Sequence, residues 1–170
     1  RAIQRAFDHR YGSPDAAFLP YAGMNDRAIA RQALLALRPD WPAAELEREI
    51  DAVLATYLEK LADETSRPDG FRVHAGVVEA LDAAAAKPGF ALGLGTGNLK
   101  EGARLKLEPV GLYHRFAFGG FGCDHIERPA LIRIGAERGA AQLGQPLAAC
   151  RVVVIGDTPK DVAAACAMGA

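Results

Sequence analysis

The chain has 170 residues, of which 50% are hydrophobic and 24% charged, and its formal net charge is −1. This balance is typical of a globular protein and gives no electrostatic reason to expect nucleic acid or an anionic membrane surface as a partner. No apolar run approaches the length of a membrane span. Three scattered cysteines suit a reducing compartment and indicate neither a disulfide framework nor a zinc site. We therefore expect a cytoplasmic protein with no nucleic-acid and no membrane partner.

The first 72 residues are predicted to be entirely helical. Apolar residues recur every third or fourth position in three segments, which is the spacing of one buried helix face. The first helix ends at Gly12-Ser13-Pro14, the second follows a cap at Asn25 or Asp26, and the third and longest begins after Asp40. The stretch 65–70 then has the composition of a loop and marks a domain boundary. The three apolar stripes are Ile3, Phe7 and Tyr11; Ile29, Ala33 and Leu37; and Leu46, Ile50, Val53, Leu54, Tyr57 and Leu61.

The remainder of the chain, 73–170, alternates strands with helices. We predict strands at 90–94, 116–118 and 152–155, each followed by a helix, and a further helix before the first strand. Alternation of this kind produces βαβ units and a parallel sheet. The sequence therefore predicts an α/β domain that follows an all-α domain.

Two carboxylates follow the last predicted strand. The run Val152-Val153-Val154-Ile155 is typical of a strand buried on both faces, and Gly156 ends it. Asp157 and Asp161 come next, where a helix starts, at the edge of a parallel sheet where ligands bind. Carboxylate oxygens suit a hard cation such as Mg²⁺. The alternative is a structural helix cap, since Asp and Thr are both favoured there.

The first predicted strand ends in small residues that suit an anion. Thr96, Gly97 and Asn98 open a helix, so backbone N–H groups and the Thr96 hydroxyl can donate to a phosphoryl oxygen. The stretch partly imitates a dinucleotide-binding fingerprint, but its glycine spacing differs and no acidic strand end follows to hold a ribose. A purely structural turn is the alternative.

A fixed positive charge is predicted at the same sheet edge. Arg128 starts the helix that follows the strand at 116–118, directly before Pro129. The helix dipole mildly disfavours an arginine in that position, which favours a role beyond solvation. The alternative is an ordinary surface arginine.

In this order, Thr96-Gly97-Asn98, Arg128 and the segment 156–161 resemble the motifs of the haloacid dehalogenase superfamily, specifically its phosphoglycolate-phosphatase-like members with a helical cap. The resemblance covers essentially the whole chain. The helical half matches the cap that this family inserts after its first strand, and the turn Gly23-Met24-Asn25-Asp26 is similar to the family's cap signature. The resemblance implies a Rossmann-like parallel three-layer core over 73–170 and a cap domain over 1–72.

The resemblance also implies a reaction. In this family an aspartate attacks phosphorus, and water then hydrolyses the aspartyl-phosphate. The Thr96-Gly97-Asn98 stretch would hold a phosphoryl oxygen, and Arg128 would offset negative charge on the nucleophile and the phosphate. Asp157 would ligate Mg²⁺, and Asp161 would support it directly or through water. Because a dehalogenase of this superfamily needs no Mg²⁺, the acidic pair favours phosphate chemistry over cleavage of a carbon–halogen bond.

One motif of the family does not occur. Its nucleophile lies in Asp-x-Asp-x-Thr at the end of the first strand, and no aspartate in this chain forms an Asp-x-Asp pair. We therefore expect the nucleophile strand and a later C-terminal strand to be missing from residues 1–170, and this fragment to be inactive. The family's first strand lies between the predicted strands 90–94 and 152–155, so a strand-wide gap is expected between those two.

Two classes of function remain open. The first is Mg²⁺-dependent hydrolysis of a small phosphorylated metabolite, a phosphoglycolate-like phosphomonoester, by a monomer or homodimer. A sugar-phosphate mutase is a variant of it, because caps of this type serve both reactions. The second class is a catalytically silent binding or interaction domain. Met24, Asn25 and Arg27 are candidates to face a substrate.

Overall fold

The computed structural model describes residues 2–12, 23–67 and 71–170. In chain order the helices and strands are α1 (Ala2–Tyr11), α2 (Asp26–Leu37), α3 (Ala43–Thr65), α4 (Val77–Ala85), β1 (Gly93–Gly95), α5 (Lys100–Leu107), β2 (Phe118–Gly120), α6 (Arg128–Gln142) and α7 (Pro159–Met168). Short 3₁₀ turns occupy Tyr113–Arg115 and Leu147–Ala149.

Helices α1, α2 and α3 pack against one another through the predicted apolar stripes. The largest fully buried side chains of this core are Phe7, Leu34, Ile50 and Val53, each at most 1% exposed. Burying side chains of this size stabilises the fold by about 1.5–3 kcal/mol each. Helix α5, from the second half of the chain, packs on α3, and its residue Leu105 lies against the same core.

The three helices predicted for the first half are confirmed. Helix α1 ends at Tyr11, and Gly12 follows it with a left-handed φ of 72°. The next two residues of the predicted stop signal, Ser13 and Pro14, and the last part of the predicted boundary loop, 68–70, lie outside the described residues.

Strands β1 and β2 form a parallel pair. Gly93 lies opposite Phe118 and Gly95 opposite Gly120, so β2 begins two residues later than the sequence predicted. Helix α6 packs directly on both strands. The approach is so close that a Cβ at Gly120 would overlap the carbonyl of Leu131. A parallel strand pair covered by a helix is compatible with the predicted α/β class. In the described parts of the chain, no helix combines the length and apolar character needed to cross a membrane.

The predicted strand at 152–155 is wrong for this structure. Residues 151–156 are irregular and make no backbone hydrogen bond to any other residue that the structure describes. Val154 packs against α6 and α7, but Val153 is 65% and Ile155 94% exposed, so the run is not buried on both faces. The physical reason is that a strand needs a hydrogen-bonding neighbour, and among the described residues β1 pairs only with β2. Segments 93–95 and 151–156 share no backbone hydrogen bond that the structure describes, and the strand-wide gap between them stays a prediction.

Candidate active site

The loop after β1, residues 96–99 (the β1 loop), is held against the turn that precedes α2, residues 23–26 (the α2 turn). The Asp26 amide donates to the Gly97 carbonyl at 2.9 Å. Gly97 is buried, and a Cβ there would lie 2.8 Å from the carbonyl oxygen of Met24. Because real Cβ atoms do not come so close, glycine is required at this position. The helical half of the chain thus contacts the predicted phosphate loop backbone to backbone.

Asn25 ties the α2 turn to the loop after β2. Its Nδ2 donates to the carbonyls of Gly122 at 3.1 Å and His125 at 3.0 Å, and its Oδ1 accepts from the Arg27 amide at 2.8 Å. With these three bonds and only 6% exposure, Asn25 caps α2 and fixes the turn rather than facing a ligand. Arg27 is likewise engaged, in ion pairs across to α3. Two of the three residues suggested as substrate contacts therefore have structural partners.

The Thr96 side chain accepts two hydrogen bonds. Its Oγ1 receives the Asn98 amide at 3.2 Å and the Asn98 Nδ2 at 2.8 Å. The Thr96 amide donates to the Gly120 carbonyl at 3.0 Å, whereas the Gly97 amide makes no hydrogen bond to a residue that the structure describes. A hydroxyl oxygen has two lone pairs and one hydrogen. With both acceptor positions filled, Thr96 can serve an anion only as a donor, beside the unengaged Gly97 amide.

A buried polar pair that the sequence reasoning missed lies behind this loop. Asp26 is 7% exposed, and its Oδ2 accepts from the Leu99 amide at 2.9 Å. Lys106, on α5, donates from Nζ to the Asn98 Oδ1 at 2.6 Å. Burial raises the pKa of Asp26, although the Leu99 bond and the charge of Lys106 oppose it. Burial lowers the pKa of Lys106, opposed by the charges of Asp26 and Glu64.

Arg128 and Asp161 form an ion pair that the sequence did not predict. The Arg128 Nε donates to the Asp161 Oδ1 at 2.8 Å, and Nη2 contacts the same oxygen. The other oxygen, Oδ2, accepts from the Thr158 amide at 3.0 Å and the Thr158 hydroxyl at 2.7 Å, so Asp161 also closes a capping box at the start of α7. Asp161 is 5% exposed. Both of its oxygens are engaged by protein donors.

Asp157 is the solvent-accessible one of the two carboxylates in the segment 156–161. It is exposed and makes no hydrogen bond or ion pair to a residue that the structure describes. Among those residues no group of three His, Cys, Asp or Glu side chains could hold a metal ion. Mg²⁺ in phosphate-handling sites is nevertheless bound by one or two carboxylates together with water and substrate oxygens. Asp157 suits one such ligand position, whereas Asp161 is already saturated by Arg128 and Thr158.

The α2 turn also approaches the start of α7. A Cβ placed on Gly23 would lie 3.2 Å from the Lys160 Cδ and 3.6 Å from the Thr158 Oγ1. The turn therefore lies between the β1 loop, at Gly97, and the first turn of α7, which carries Asp161. The turn thus contacts two of the three motifs that the sequence singled out, and the third, Arg128, is joined to α7 by its ion pair with Asp161.

The sequence matches the model of a known class of hydrolases. A family model described as haloacid dehalogenase-like hydrolase matches residues 1–169. Because the match covers nearly all of the sequence, the chain belongs to the haloacid dehalogenase-like hydrolase family. Hydrolase activity is the chemistry that membership indicates. No curated protein matches the chain.

Proposed function

We propose that the chain is part of a Mg²⁺-dependent phosphatase that hydrolyses a small phosphomonoester, similar to the phosphoglycolate-phosphatase-like members of its family. The observation that carries the proposal is the state of Thr96. Its hydroxyl oxygen already accepts two hydrogen bonds, so the hydroxyl can only donate a further one. It lies at the end of a parallel strand, next in sequence to the unengaged Gly97 amide. Two donors on consecutive residues at a strand end suit a phosphoryl oxygen.

Arg128 supplies the fixed positive charge of the proposed site. Asp161 holds its Nε and Nη2, while Nη1 makes no hydrogen bond to a described residue. The guanidinium is therefore oriented by one carboxylate and retains a donor for a phosphoryl oxygen or for the nucleophile. Phosphoryl transfer depends mainly on such positioning and charge neutralisation. In this proposal Asp161 is a positioning residue for Arg128.

Asp157 would hold the Mg²⁺ ion, with Asp161 supporting the site through its hold on the α7 turn. When bound, the metal would offset negative charge on the phosphate. The chain's own residues orient the ester: Thr96 and Gly97 donate to one oxygen, and Arg128 approaches with its free nitrogen. The proposed substrate class, a small phosphorylated metabolite, follows the resemblance to the phosphoglycolate-phosphatase-like members of the family.

The nucleophilic aspartate is proposed to lie outside residues 1–170, on a strand between β1 and segment 151–156. Supporting this, the edge of β1 away from β2 has no hydrogen-bonded neighbour among the described residues, and Ile155 is 94% exposed. Helix α6 contacts both β1 and segment 151–156, since its residue Ile132 lies against Gly95 and Val154 packs on the same helix. Helices α1–α3, within 1–72, would form the cap over a three-layer core at 73–170.

The test is metal-dependent turnover of an aryl phosphate by the full-length protein. Asp157→Asn removes the charge with little change of volume, so it is expected to abolish activity while leaving thermal unfolding unchanged. Asp63→Asn, at an exposed position of α3, is the matched control and is expected to keep full activity. Undiminished turnover by Asp157→Asn, or turnover in excess chelator, excludes the assignment.

A catalytically silent binding domain is the second candidate function. It is favoured by one observation, that no aspartate of residues 1–170 lies in an Asp-x-Asp pair. The same assay separates the two functions. A full-length protein that binds inorganic phosphate at Thr96 but hydrolyses no phosphomonoester with any divalent cation would establish the silent domain.

A further inference from the structure

Lys106 lies too deep in the structure to be an ordinary surface lysine of α5. It is partly buried, and its Nζ is 6.0 Å from the ring centre of Tyr57 on α3. Burying an ammonium group is unfavourable unless the charge is compensated. Among the described residues its single hydrogen-bond acceptor is the Asn98 side chain, at 2.6 Å, eight residues earlier. Lys106 therefore donates this hydrogen bond to the β1 loop.

This bond fixes which way the Asn98 amide points. An ammonium group has only donors, so the carbonyl oxygen of Asn98 must face Lys106 and the NH₂ group must face the other way. On that other side lies the Thr96 Oγ1, at 2.8 Å from Nδ2. If the amide turned over, its oxygen would face Thr96 and would accept the hydroxyl hydrogen instead.

The orientation of Asn98 thus decides what the Thr96 hydroxyl can do. In the observed orientation Oγ1 accepts from Asn98 twice, through Nδ2 and through the backbone amide, and the hydroxyl hydrogen is left for a ligand. In the reversed orientation the hydrogen is consumed within the loop. A charged lysine beside the carbonyl oxygen stabilises the first arrangement, because hydrogen bonds to charged groups are stronger than neutral ones.

We propose that Lys106 is a positioning residue that, through Asn98, keeps the Thr96 hydroxyl free to donate to the phosphoryl group. The inference rests on the proposed phosphatase function and deepens it. Lys106 itself touches no substrate, since Asn98 lies between it and Thr96. Asp26, whose carboxylate holds the Leu99 amide, supplies the compensating negative charge on the other side of the loop.

The test is a double-mutant cycle in the full-length protein between Lys106→Met and Thr96→Val. Lys106→Met keeps the length of the side chain and removes the donor. Thr96→Val removes the hydroxyl at nearly constant volume. We expect kcat/KM for an aryl phosphate to fall about tenfold in Lys106→Met and about 10²-fold in Thr96→Val. The double variant should be no slower than Thr96→Val, because Lys106 then has nothing to orient.

A purely structural role predicts a different result. If Lys106 only stabilises the fold, the two losses multiply, and the double variant is about tenfold slower than Thr96→Val; that outcome overturns the proposal, as does full activity of Lys106→Met. Lys100→Met, on the exposed side of the same helix, is the matched control and should not change the rate. If Lys106→Met does not fold, Lys106→Gln replaces it in the same cycle.

A readout independent of turnover separates this inference from the proposed function. The four proteins of the cycle are also titrated with inorganic phosphate by calorimetry. If the unmutated protein is inactive but binds phosphate, the phosphatase proposal fails. The role of Lys106 is then decided by the phosphate affinities of the four proteins: it is supported if the double variant binds no more weakly than Thr96→Val, and overturned if the two losses of affinity multiply. If the unmutated protein is active and the cycle is additive, the inference alone fails. If it neither turns over nor binds phosphate, both fail.

Discussion

Arg128 and Asp161 join the first turns of α6 and α7 through an ion pair whose carboxylate is 5% exposed. One oxygen of Asp161 receives the guanidinium, and the other receives the amide and hydroxyl of Thr158. Asp161, which the sequence suggested as a metal ligand, thus orients Arg128, which the sequence suggested as the catalytic cation.

Replacing Asp161 by Asn should destabilise the protein at neutral pH. The substitution leaves a partly buried guanidinium without its counter-charge, and we expect a loss of about 1–3 kcal/mol in the free energy of unfolding. Urea denaturation measures it. Glu101→Gln, which breaks the exposed pair with Arg104, is the control and should destabilise the protein clearly less than Asp161→Asn. Equal losses in both variants would contradict the buried role of Asp161.

The cost of Asp161→Asn should also depend on pH. Burial raises the pKa of Asp161, but the hydrogen bonds from Thr158 and Arg128 outweigh it and hold the pKa below its ordinary value. A depressed pKa stabilises the folded state above the ordinary aspartate range, and this stabilisation is lost as pH falls through the folded-state pKa. The difference between the wild type and Asp161→Asn should therefore shrink on acidification, and a difference that grows would refute the ion pair.

Asp26 should show the opposite behaviour. Burial raises its pKa, so the folded protein retains a proton there that the unfolded chain releases at lower pH. The wild type should lose stability relative to Asp26→Asn as pH rises from the ordinary aspartate pKa, about 3.9, through the folded-state value. Asparagine keeps an oxygen that can accept from Leu99, which makes the comparison fair. Urea denaturation across this range checks the sign, and a relative gain for the wild type would contradict it.

Gly97→Ala should displace the α2 turn. A methyl group at 97 would lie 2.8 Å from the Met24 carbonyl oxygen, and overpacking of this kind costs about 1–3 kcal/mol. Gly102→Ala is the matched control, because its nearest neighbour, the Tyr57 hydroxyl, is 3.5 Å away and the helix gains from alanine. Thermal unfolding compares the two. Equal stability of the variants would show that the turn does not touch the β1 loop in solution.

Residues 1–170 expressed alone should be insoluble or molten and should hydrolyse no phosphomonoester. Val153 and Ile155 are 65% and 94% exposed, and segment 151–156 makes no backbone hydrogen bond to a described residue. Unpaired edges and uncovered apolar side chains promote association. Analytical ultracentrifugation and binding of a hydrophobic dye measure this. A monodisperse fragment with sharp unfolding would contradict the proposed missing strand.

The sequence predicted the elements whose signals are local. The helices of the first half follow from apolar spacing, and Thr96, Arg128 and Asp161 follow from their positions at element ends. The strand at 152–155 was wrong because β-branched residues specify a strand only when a neighbour supplies hydrogen bonds. Strand β2 starts two residues late, at Phe118, because β1 and α6 meet it at Gly119 and Gly120, where side chains would obstruct them.

The buried pair behind the β1 loop could not be predicted in the same way. Asp26 and Leu99 are 73 residues apart in sequence, and their contact depends on how α2 meets α5. Lys106 lies within reach of Asn98 only because α5 brings it back over the loop. Asp26 was singled out only as a cap and turn residue, and Lys106 belongs to no local pattern of its own. Side chains that serve a site through another residue are therefore the part that only the fold reveals.

The hydrogen bond from the Asp26 amide to the Gly97 carbonyl has a consequence for cooperativity. The first turn of α2 and the β1 loop share one backbone hydrogen bond and the bond from the Leu99 amide to the Asp26 carboxylate, so neither can open without exposing the other to solvent. The amides of Asp26 and Leu99 should then be protected from exchange with deuterium by the same factor relative to their intrinsic rates. A ligand held by Thr96 would slow that exchange in α2 as well, so occupancy at the sheet edge would be transmitted to the helices as added protection.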